Sequence, residues 1–494
     1  MSRRRERKKP IMAGKAPSDG SPLGHLSDAE LVREFARELA RRRAGRAGVD
    51  LEAIESFAEG AQQQLGEETL AATVAALPPE GSAAKPCPRC GRPVPVKVHN
   101  RVRHILTTAG ELRVSRNYHH CSACELGFYP RDRELGLPEE GEVSDAMERR
   151  ILDFGVNDSF ESAAQRWDIH YRIPISSNLI RRVVDRVGTR SDDAWSELSL
   201  QEACMPMPEE PPQSLVIAGD GSMLLTREEA WKEAKVAVVA RGEHLLAEKG
   251  RRSVAEARYV AVLGGQEEFK ASLEAALSAE RADEVSNIVW LGDGAPENWT
   301  LAKELTPFAI QVLDVMHAIQ NGTTCGKALL GEADPGLADW EERIRRLLDA
   351  GSPHALIREL MDCVPETTAD DQLQALNKLV GYYRSNETRM RYHDFRELGL
   401  PVGSGIVESA HRHVLQVRMK RAGQRWSIKR ARRMARLRAL YRTAGPRRFH
   451  RAIGEALVAP PARASTALPS SPLRAKHTYT PKRVSPLHRP GASI

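Results

Sequence analysis

Five short apolar runs between residues 215 and 313 limit the fold more than any other feature of the sequence. The first three runs follow one another directly, whereas helical stretches at 267–283 and 297–305 precede the fourth and the fifth. Short apolar runs of this kind are typical of strands in a sheet that helices cover. The predicted order is β-β-β-α-β-α-β, with strands at 215–218, 236–240, 259–263, 288–291 and 308–313.

Three acids stand at matching places on this plan. Asp220 and Asp293 each follow an apolar run and precede a glycine, and Glu408 lies in the first turn of a helix after a glycine-rich entry. A single Asp-Gly pair is usually only a turn. If the first and fourth strands are neighbours, however, the two aspartates converge, and three carboxylates in this order favour a Mg²⁺ site. Two such ions can stabilise the attacking and the leaving oxygens of an in-line displacement.

The element order is the plan of an RNase H-like domain, so we expect a multidomain α/β protein built around such a core. The first part of the core covers 214–315 and the second part covers 401–445. Residues 316–400, between these parts, have a helical pattern without strands and predict an all-helical insertion. The catalytic and Mg²⁺-binding residues expected on this core are Asp220, Asp293 and Glu408.

Four of the seven cysteines form two CxxC pairs. Two strands joined at Ala109-Gly110 are predicted between the pairs, and this is the plan of a zinc ribbon over 85–135. Each CxxC turn can present two thiolates to one tetrahedral Zn²⁺. A redox pair is the alternative, but redox CxxC motifs usually occur singly. Residues 85–124 carry a net +7, so the ribbon is also expected to touch DNA. The predicted zinc ligands are Cys87, Cys90, Cys121 and Cys124.

Residues 143–195 predict helices that resemble a helix-turn-helix. One short helix begins at Phe160 and a second runs over about 175–184. Arg181 and Arg182 on the second helix are candidate DNA contacts. An ordinary helical hairpin is the alternative interpretation. The proline-rich stretch 196–213 then predicts a linker and a domain boundary.

The net charge of +7 is divided unevenly along the chain. Residues 411–494 carry a net +20, which leaves −13 for the rest. An asymmetry of this size indicates a polyanionic partner. The indole of Trp426 in this segment either stacks on a base or belongs to the core. The candidate DNA contacts here are Arg418, Lys420, Arg421, Arg425 and Trp426.

Both ends of the chain have the composition of flexible segments. Residues 1–25 predict a basic arm, and residues 446–494, which are rich in Pro, Ser and basic residues, predict a disordered tail. Residues 26–84 predict helices that serve packing or dimerisation. No apolar run is long enough for a transmembrane helix, and no apolar stretch follows the basic N-terminus. We therefore expect a cytoplasmic protein without a membrane partner.

Three motifs make the sequence recognisable. Two of them are Gly403-Ser-Gly-Ile-Val-Glu408-Ser and Arg418-Met-Lys-Arg-Ala-Gly-Gln-Arg-Trp426-Ser, and the third is Leu313-Asp314-x-x-His317. With them, residues 85–445 resemble bacterial DDE-type insertion-sequence transposases, most closely the ISKra-type group, with kinship to Mutator-like transposases. The sequence departs from this pattern after Trp426, where Arg430 and its neighbours replace a Gly-Ala pair. This difference makes the helix more basic, so it concerns contacts with DNA and not the catalytic residues.

The resemblance implies an activity as well as a fold. Asp220, Asp293 and Glu408 match the DDE triad, which in the family uses Mg²⁺ or Mn²⁺ to hydrolyse DNA at transposon ends and to join the 3′-OH to target DNA. Asp314 and His317 either flank this site or serve structure, with Asp314 as a helix cap. The implied partners are double-stranded terminal inverted repeats and target DNA, bound by a homo-oligomer in the bacterial nucleoid. The alternatives are a remnant that binds DNA without catalysis and a structure-specific nuclease.

Overall fold

The computed structural model describes residues 25–43, 50–194, 196–248, 251–362, 369–403 and 405–458. The chain divides into two compact units. The first contains the described residues up to Gly81 and the short segment Ala109–Arg113, and the second contains the remainder. Nearly all of the predicted basic arm, and the predicted tail beyond 458, lie outside the described residues.

Two helices, α1 (Asp28–Arg43) and α2 (Leu51–Ala75), form most of the first unit. Ser27 and Glu30 form a capping box, because the backbone N–H of each donates to the side chain of the other, at 2.8 and 3.4 Å. Asp50 caps α2 by accepting a hydrogen bond from the Ala53 N–H at 2.9 Å. No residue of either helix is buried among the residues described.

The cysteine-containing region is built from short strands. β1 (Lys85–Pro86) pairs antiparallel with β2 (Pro93–Val94) around the first CxxC turn. A three-stranded sheet follows, formed by β3 (Val96–Thr107), β4 (Gly110–Cys121) and β5 (Leu126–Phe128) in that order, and then α3 (Pro130–Glu134). The two strands predicted on either side of Ala109-Gly110 are present, and both are longer than the 102–108 and 112–118 that the sequence predicts.

Four helices come next. Ser144, Ser159 and Ser196 cap three of them, because each serine oxygen accepts a backbone N–H three residues ahead. The last of the four lies inside the predicted linker 196–213, where the prolines that follow it masked its helical pattern. The helices are α4 (Asp145–Asn157), α5 (Phe160–His170), α6 (Ser177–Ala194) and α7 (Glu197–Cys204).

A five-stranded mixed sheet forms the centre of the second unit. Its strands are β6 (Ser214–Leu225), β7 (Trp231–Arg241), β10 (Ala257–Val262), β11 (Asn287–Gly292) and β12 (Ile310–Leu313), and a hairpin of β8 (Leu245–Glu248) and β9 (Arg251–Val254) precedes β10. The spatial order is β10-β7-β6-β11-β12. β6, β7 and β10 pair antiparallel, whereas β6, β11 and β12 pair parallel. All five predicted strands are present, and the first and fourth are neighbours.

Helices connect and follow these strands. α8 (Gln266–Ser278) leads to β11, and α9 (Pro296–Leu305) leads to β12. From β12 to residue 400, the described residues contain helices and no strand, as predicted for the insertion. These helices are α10 (Val315–Leu330), α11 (Gly336–Asp349), α12 (Pro353–Asp362), α13 (Asp370–Ser385) and α14 (Tyr392–Glu397).

The C-terminal part of the described chain is helical. α15 (Gly405–Ala410) continues through a π-helical segment, His411–Gln416, into α16 (Val417–Met419), and α17 (Ile428–Val458) follows. The prediction of a disordered tail from residue 446 is wrong for its first part, because α17 continues to Val458 and Phe449 is fully buried. The chain bends at Gly445, and Pro446 then starts the next turn, where a missing N–H is tolerated.

A separate apolar core covers each face of the central sheet. One core joins the sheet to α8, α9 and the helices of the insertion, and the other joins it to α4–α7 and α17. α17 packs against α4, α6, α7 and β10. The helices predicted to form a helix-turn-helix are therefore part of this larger core. None of the helices in the described ranges is long and apolar enough to cross a membrane.

Candidate active site and metal centre

Adjacent parallel strands bring three aspartates to one level of the central sheet. The register pairs Leu291 of β11 with Ala218 of β6, and Gly292 of β11 with Leu313 of β12. Residues at one level of adjacent strands project to the same face and are about 5 Å apart. Continued one or two residues beyond these pairs, the register places three acids level with one another, namely Asp220, Asp293 and Asp314.

The sequence predicts that Asp220 lies just past the end of its strand. In the structure it lies inside β6. β6 continues to Leu225 because it stays paired with β7, and Asp220 lies opposite Val236. The Asp220 Oδ1 accepts a hydrogen bond from the Gly221 N–H at 2.7 Å, and its side chain is 30% exposed. The carboxylate is thus held on a paired strand and remains open to solvent.

Asp293 is held by a short loop between β11 and α9. Its Oδ1 accepts hydrogen bonds from the Ala295 N–H at 3.0 Å and from the Asn298 side-chain amide at 2.8 Å. The hydroxyl of Tyr382, on α13, donates to the Asp293 carbonyl at 2.8 Å. Gly294 has a φ of 97°, and a Cβ there would lie 2.6 Å from the Tyr382 ring. α13 therefore fixes this loop through Tyr382, which sequence reasoning did not foresee.

Asp314 is fully buried at the end of β12 and caps α10. Its Oδ1 accepts a hydrogen bond from the Met316 N–H at 2.9 Å, and its Oδ2 lies 2.7 Å from Nδ1 of His317. The hydrogen bond to Asp314 raises the pKa of His317 above its ordinary value, and the nearby charges of Asp293 and Asp220 add to this effect. Asp314 therefore serves as a cap and also holds an imidazole beside the other two acids.

Glu408 lies on α15, which packs against β6 and β7, and its side chain is exposed. One turn later, the buried His411 places Nε2 3.5 Å from Oδ2 of Asp220. Neither ring nitrogen of His411 makes a hydrogen bond with the described residues, and burial lowers its pKa. His411 was not among the predicted site residues, although its place three residues after Glu408, on the same helical stretch, was a usable signal.

The three predicted metal-binding acids do not form a closed cluster. Among the described residues, one group of three or more ligating side chains has all its ligand atoms within 4.8 Å of one another, and that group consists of the four CxxC cysteines. Asp220 and Asp293 are at the same level of the sheet. Glu408 lies one helical turn before His411, which contacts Asp220.

A lysine lies at the edge of this acidic site. The Nζ of Lys420 donates a hydrogen bond to Oγ of Ser222, two residues after Asp220 on β6. Partial burial lowers the pKa of Lys420, and the charge of Asp220 opposes that change. Lys420 is therefore bonded two residues from Asp220 on β6, and it is exposed to solvent.

The two CxxC turns face each other. In the first, the Cys87 N–H donates to the Arg92 carbonyl at 2.8 Å, and Gly91 adopts a left-handed φ of 73°. The second begins at Cys121, the last residue of β4. The Sγ atoms of Cys90 and Cys121 are 3.7 Å apart. Two sulfurs on a tetrahedral zinc are about 3.8 Å apart, because each Zn–S bond is about 2.3 Å long.

The acidities of these thiols also suit a metal. Backbone hydrogen bonds from Cys90 and Arg89 lower the pKa of Cys87 to about 7. The hydrogen bond with Cys90 raises the pKa of Cys124 to about 12, because this bond stabilises the protonated Cys124 thiol. Four sulfurs this close ionise together only when a cation balances their charge, so the donor set fits a soft, tetrahedral metal such as zinc.

Comparison with known proteins places the chain in a family. A family model matches residues 95–453, which is well over half of the chain. The chain belongs to UPF0236, an uncharacterised protein family. None of the curated proteins compared with it matches.

One solved structure similar to this UPF0236 chain is the Drosophila P element transposase strand transfer complex. The two share 11% sequence identity, and the alignment covers 63% of this chain and 95% of the other. The TM-score is 0.31. At this level the likeness bears on neither the site nor the activity of the UPF0236 chain.

Two of the predicted DNA contacts in the UPF0236 chain lie in the interior. Arg418 is fully buried, and its Nε donates to the Gly155 carbonyl at 3.2 Å. Trp426 is also buried, and its indole N–H donates to the Met419 carbonyl at 3.1 Å. The prediction of DNA contacts is wrong for these two side chains, because Arg418 is bonded to α4 and the indole of Trp426 is packed inside the C-terminal segment. Of the two interpretations of Trp426, the structure supports the core.

The run of basic residues beyond Trp426 also has a structural explanation. Its arginines pair with acids on α6 and α7, some 240 residues earlier in the chain. The sequence near these arginines contains almost no acidic residues, so their ion pairs could not be predicted without the fold. They join Arg430 to Asp185 at 2.9 Å, Arg433 to Asp192 at 2.8 Å, and Arg436 to Glu197 at 2.9 Å.

The other predicted DNA contacts lie nearer the surface. Arg425 is exposed and has no hydrogen-bond or ion-pair partner in the described part of the chain. Arg421 donates to the Val417 carbonyl at 3.0 Å. On α6, Arg182 is exposed and pairs with Glu142, and Arg181 donates to the side chain of Asn178 at 3.2 Å.

Proposed function

We propose that this protein is a DDE-type DNA transposase that binds insertion-sequence ends and catalyses Mg²⁺-dependent strand cleavage and strand transfer on an RNase H-like core. The observation that supports this best is the placement of Asp220 and Asp293 at one level of adjacent parallel strands. The sheet has three antiparallel strands and then two parallel ones, in the order β10-β7-β6-β11-β12. That order is the one expected of an RNase H-like core.

The two strand-borne acids fit a hard divalent cation. Asp293 uses Oδ1 for both of its hydrogen bonds, which leaves Oδ2 for a metal, and Asp220 is partly exposed. In this proposal Asp220, Asp293 and Glu408 hold Mg²⁺ or Mn²⁺. When bound, such ions stabilise charge on the attacking and leaving oxygens of the phosphodiester.

The surrounding residues have separate roles in the proposed reaction. Tyr382 and Asn298 position the Asp293 loop, so that its carboxylate does not reorganise when DNA binds. Lys420, beside Asp220, contacts a phosphate oxygen next to the bond that is cut. His317, held by Asp314, lies close enough to the acids to donate a proton to a DNA oxygen.

Recognition of DNA is assigned to the surfaces that remain basic after internal pairing. The cysteine knuckles hold zinc and form a zinc ribbon whose segment 85–124 has a net charge of +7 in sequence, although Arg103 and Arg116 are paired with Asp132. Lys420 and Arg425 lie on the exposed side of the C-terminal segment. Terminal repeats and target DNA are the proposed partners, bound by a homo-oligomer.

The experiment that tests the proposal measures cleavage and strand joining on the DNA that flanks the gene. We expect Asp220→Asn and Asp293→Asn to abolish both steps with Mg²⁺, and Glu408→Gln to reduce them by at least about a hundredfold, since each removes a metal ligand. Asp339→Asn, an exposed acid on α11, is the matched control and should retain activity. Full activity of the Asp220 and Asp293 variants would refute the site.

A DNA-binding protein without catalytic activity is the second candidate. The exposed position of Glu408, outside any closed cluster, favours it. It predicts that wild type and Asp220→Asn bind the terminal repeats equally and that neither cuts them. A structure-specific nuclease would instead cut DNA and join no strands.

A further inference from the structure

An apolar groove of about 620 Å³ runs between α1 and α2 in the first unit. The groove is open, and the side chains that line it come from both helices. Most of them are aliphatic or aromatic. The largest are Val32, Phe35, Leu39, Ile54, Phe57 and Leu65.

Three of these side chains are unusually exposed for their type. Phe35 is 45% exposed, Val32 is 54% exposed, and Ile54 is 51% exposed. A helix of 16 residues such as α1 is only marginally stable in water without packing on an apolar face. We propose that a second copy of this chain fills the groove with its own α1, so that two hairpins form a four-helix dimer.

The charges of α1 support an antiparallel arrangement about a two-fold axis. With the axis at the middle of the helix, Val32 lies opposite Leu39 of the partner subunit, and Phe35 lies opposite Ala36 of the partner subunit. The charges that flank this apolar face then meet opposite charges, Asp28 with the partner's Arg43 and Arg33 with the partner's Glu38. Within its own helix, Glu38 also pairs with Arg41 and Arg42. A two-fold interface requires this self-complementarity, because each surface must fit its own copy.

The second helix is complementary to the basic end of the partner's α1. α2 contains five glutamates and no Lys or Arg, whereas α1 ends in Arg41, Arg42 and Arg43. The Arg43 guanidinium lies 4.3 Å from the Phe57 ring centre, so the C-terminal end of α1 is next to the first half of α2. An antiparallel partner helix therefore brings its basic end to the second half of α2, where Glu68 follows Ala61 and Leu65 on the groove side.

The oligomeric state of the full chain without DNA tests this inference. Sedimentation velocity at micromolar concentration should show a dimer for wild type. Phe35→Glu with Leu39→Glu should raise the dimer dissociation constant more than about a hundredfold, because both place charge in the apolar seam. Unchanged circular dichroism would show that the variant still folds. A monomeric wild type, or a variant that remains a dimer, would overturn the proposal.

A charge exchange provides a sharper test. Arg33→Glu alone and Glu38→Arg alone should each weaken the dimer about tenfold, because each creates like-charge pairs at two symmetric places. The double variant should restore wild-type affinity. Residues 33 and 38 are five apart and do not face each other within one helix, so the recovery must come from the partner. A double variant as weak as the single ones would contradict the antiparallel register.

Residues 1–24 of the same chain are the competing occupant of the groove. If they fill it, deleting them should convert a monomer into a dimer, and this result would refute the inference. If the partner fills it, the deletion should leave the dimer dissociation constant within about threefold of wild type. None of these measurements involves DNA or catalysis, so their outcome is separate from that of the proposed transposase activity.

Discussion

His317 is a residue whose protonation the structure explains directly. Its Nδ1 lies 2.7 Å from a fully buried carboxylate oxygen of Asp314, and this hydrogen bond raises its pKa. An NMR titration of the wild-type protein should therefore place the His317 pKa above about 6.5, the ordinary value. Asp314→Asn should lower that pKa, and Asp339→Asn should leave it unchanged. A His317 pKa that does not respond to Asp314→Asn would contradict the pairing.

The same pair has a consequence for stability. His317 holds a proton more tightly in the folded than in the unfolded chain, so protonation favours folding. The contribution is complete below the unfolded pKa of about 6.5 and is lost as the pH rises through the raised folded pKa. The free energy of unfolding of Asp314→Asn should therefore lack this component of the pH dependence.

Single residues also show where sequence reasoning reached its limit. Asp220 and Asp293 follow apolar runs, and β6 and β11 are the parallel neighbours on which the predicted convergence of these acids depends. Arg418 belongs to an equally recognisable motif, yet it is fully buried and bonded to Gly155, 263 residues away in the chain. The composition of a segment shows how many charged side chains it has. Whether such a side chain is buried depends on residues far away in the sequence, which only the folded structure identifies.

At the scale of elements, the two CxxC turns make a direct prediction. Cys87→Ser should reduce bound zinc, measured by elemental analysis, from about one equivalent to near zero, because three sulfurs no longer complete the tetrahedron. Cys204→Ser is the matched control, since Cys204 is buried on α7, away from the cluster. Zinc retained in the Cys87→Ser protein would refute the metal centre.

Strand and helix order was predictable because it depends on local apolar periodicity. The five strands of the central sheet and the helices after β12 all follow from such patterns. The second half of β6 was missed because its pairing with β7, and not its own composition, keeps it extended. The helix beyond Pro446 was missed because Gly-Pro usually ends a helix, whereas here buried contacts of Phe449 extend it.

At the scale of the whole molecule, one long helix joins regions that are far apart in the sequence. α17 packs on β10 of the central sheet and on α4, α6 and α7. Its arginines neutralise Asp185, Asp192 and Glu197. Much of the positive charge in the C-terminal segment therefore stabilises the fold and is not available to phosphates.

Because some arginines of the C-terminal segment are paired internally and others are exposed, substitutions at the two kinds of position should have different effects. Arg433→Ala should lower the free energy of unfolding by about 1–3 kcal/mol, because the side chain is 14% exposed and bonded to Asp192. It should leave the salt dependence of DNA binding unchanged. Arg425→Ala should change stability by less than about 0.5 kcal/mol, since Arg425 is exposed. If Arg425 contacts a phosphate, its loss should make the slope of log K against log salt shallower by about 0.9.

Chemical denaturation and DNA titrations at several salt concentrations measure both quantities. The expected result is a crossed pattern, with Arg433 affecting unfolding alone and Arg425 affecting DNA binding alone. If Arg433→Ala changed the salt slope as much as Arg425→Ala, its pair with Asp192 would not persist on DNA. The ion pairs between α17 and α6 would then open when DNA binds, and α17 would be a larger DNA-binding surface than its internal contacts indicate.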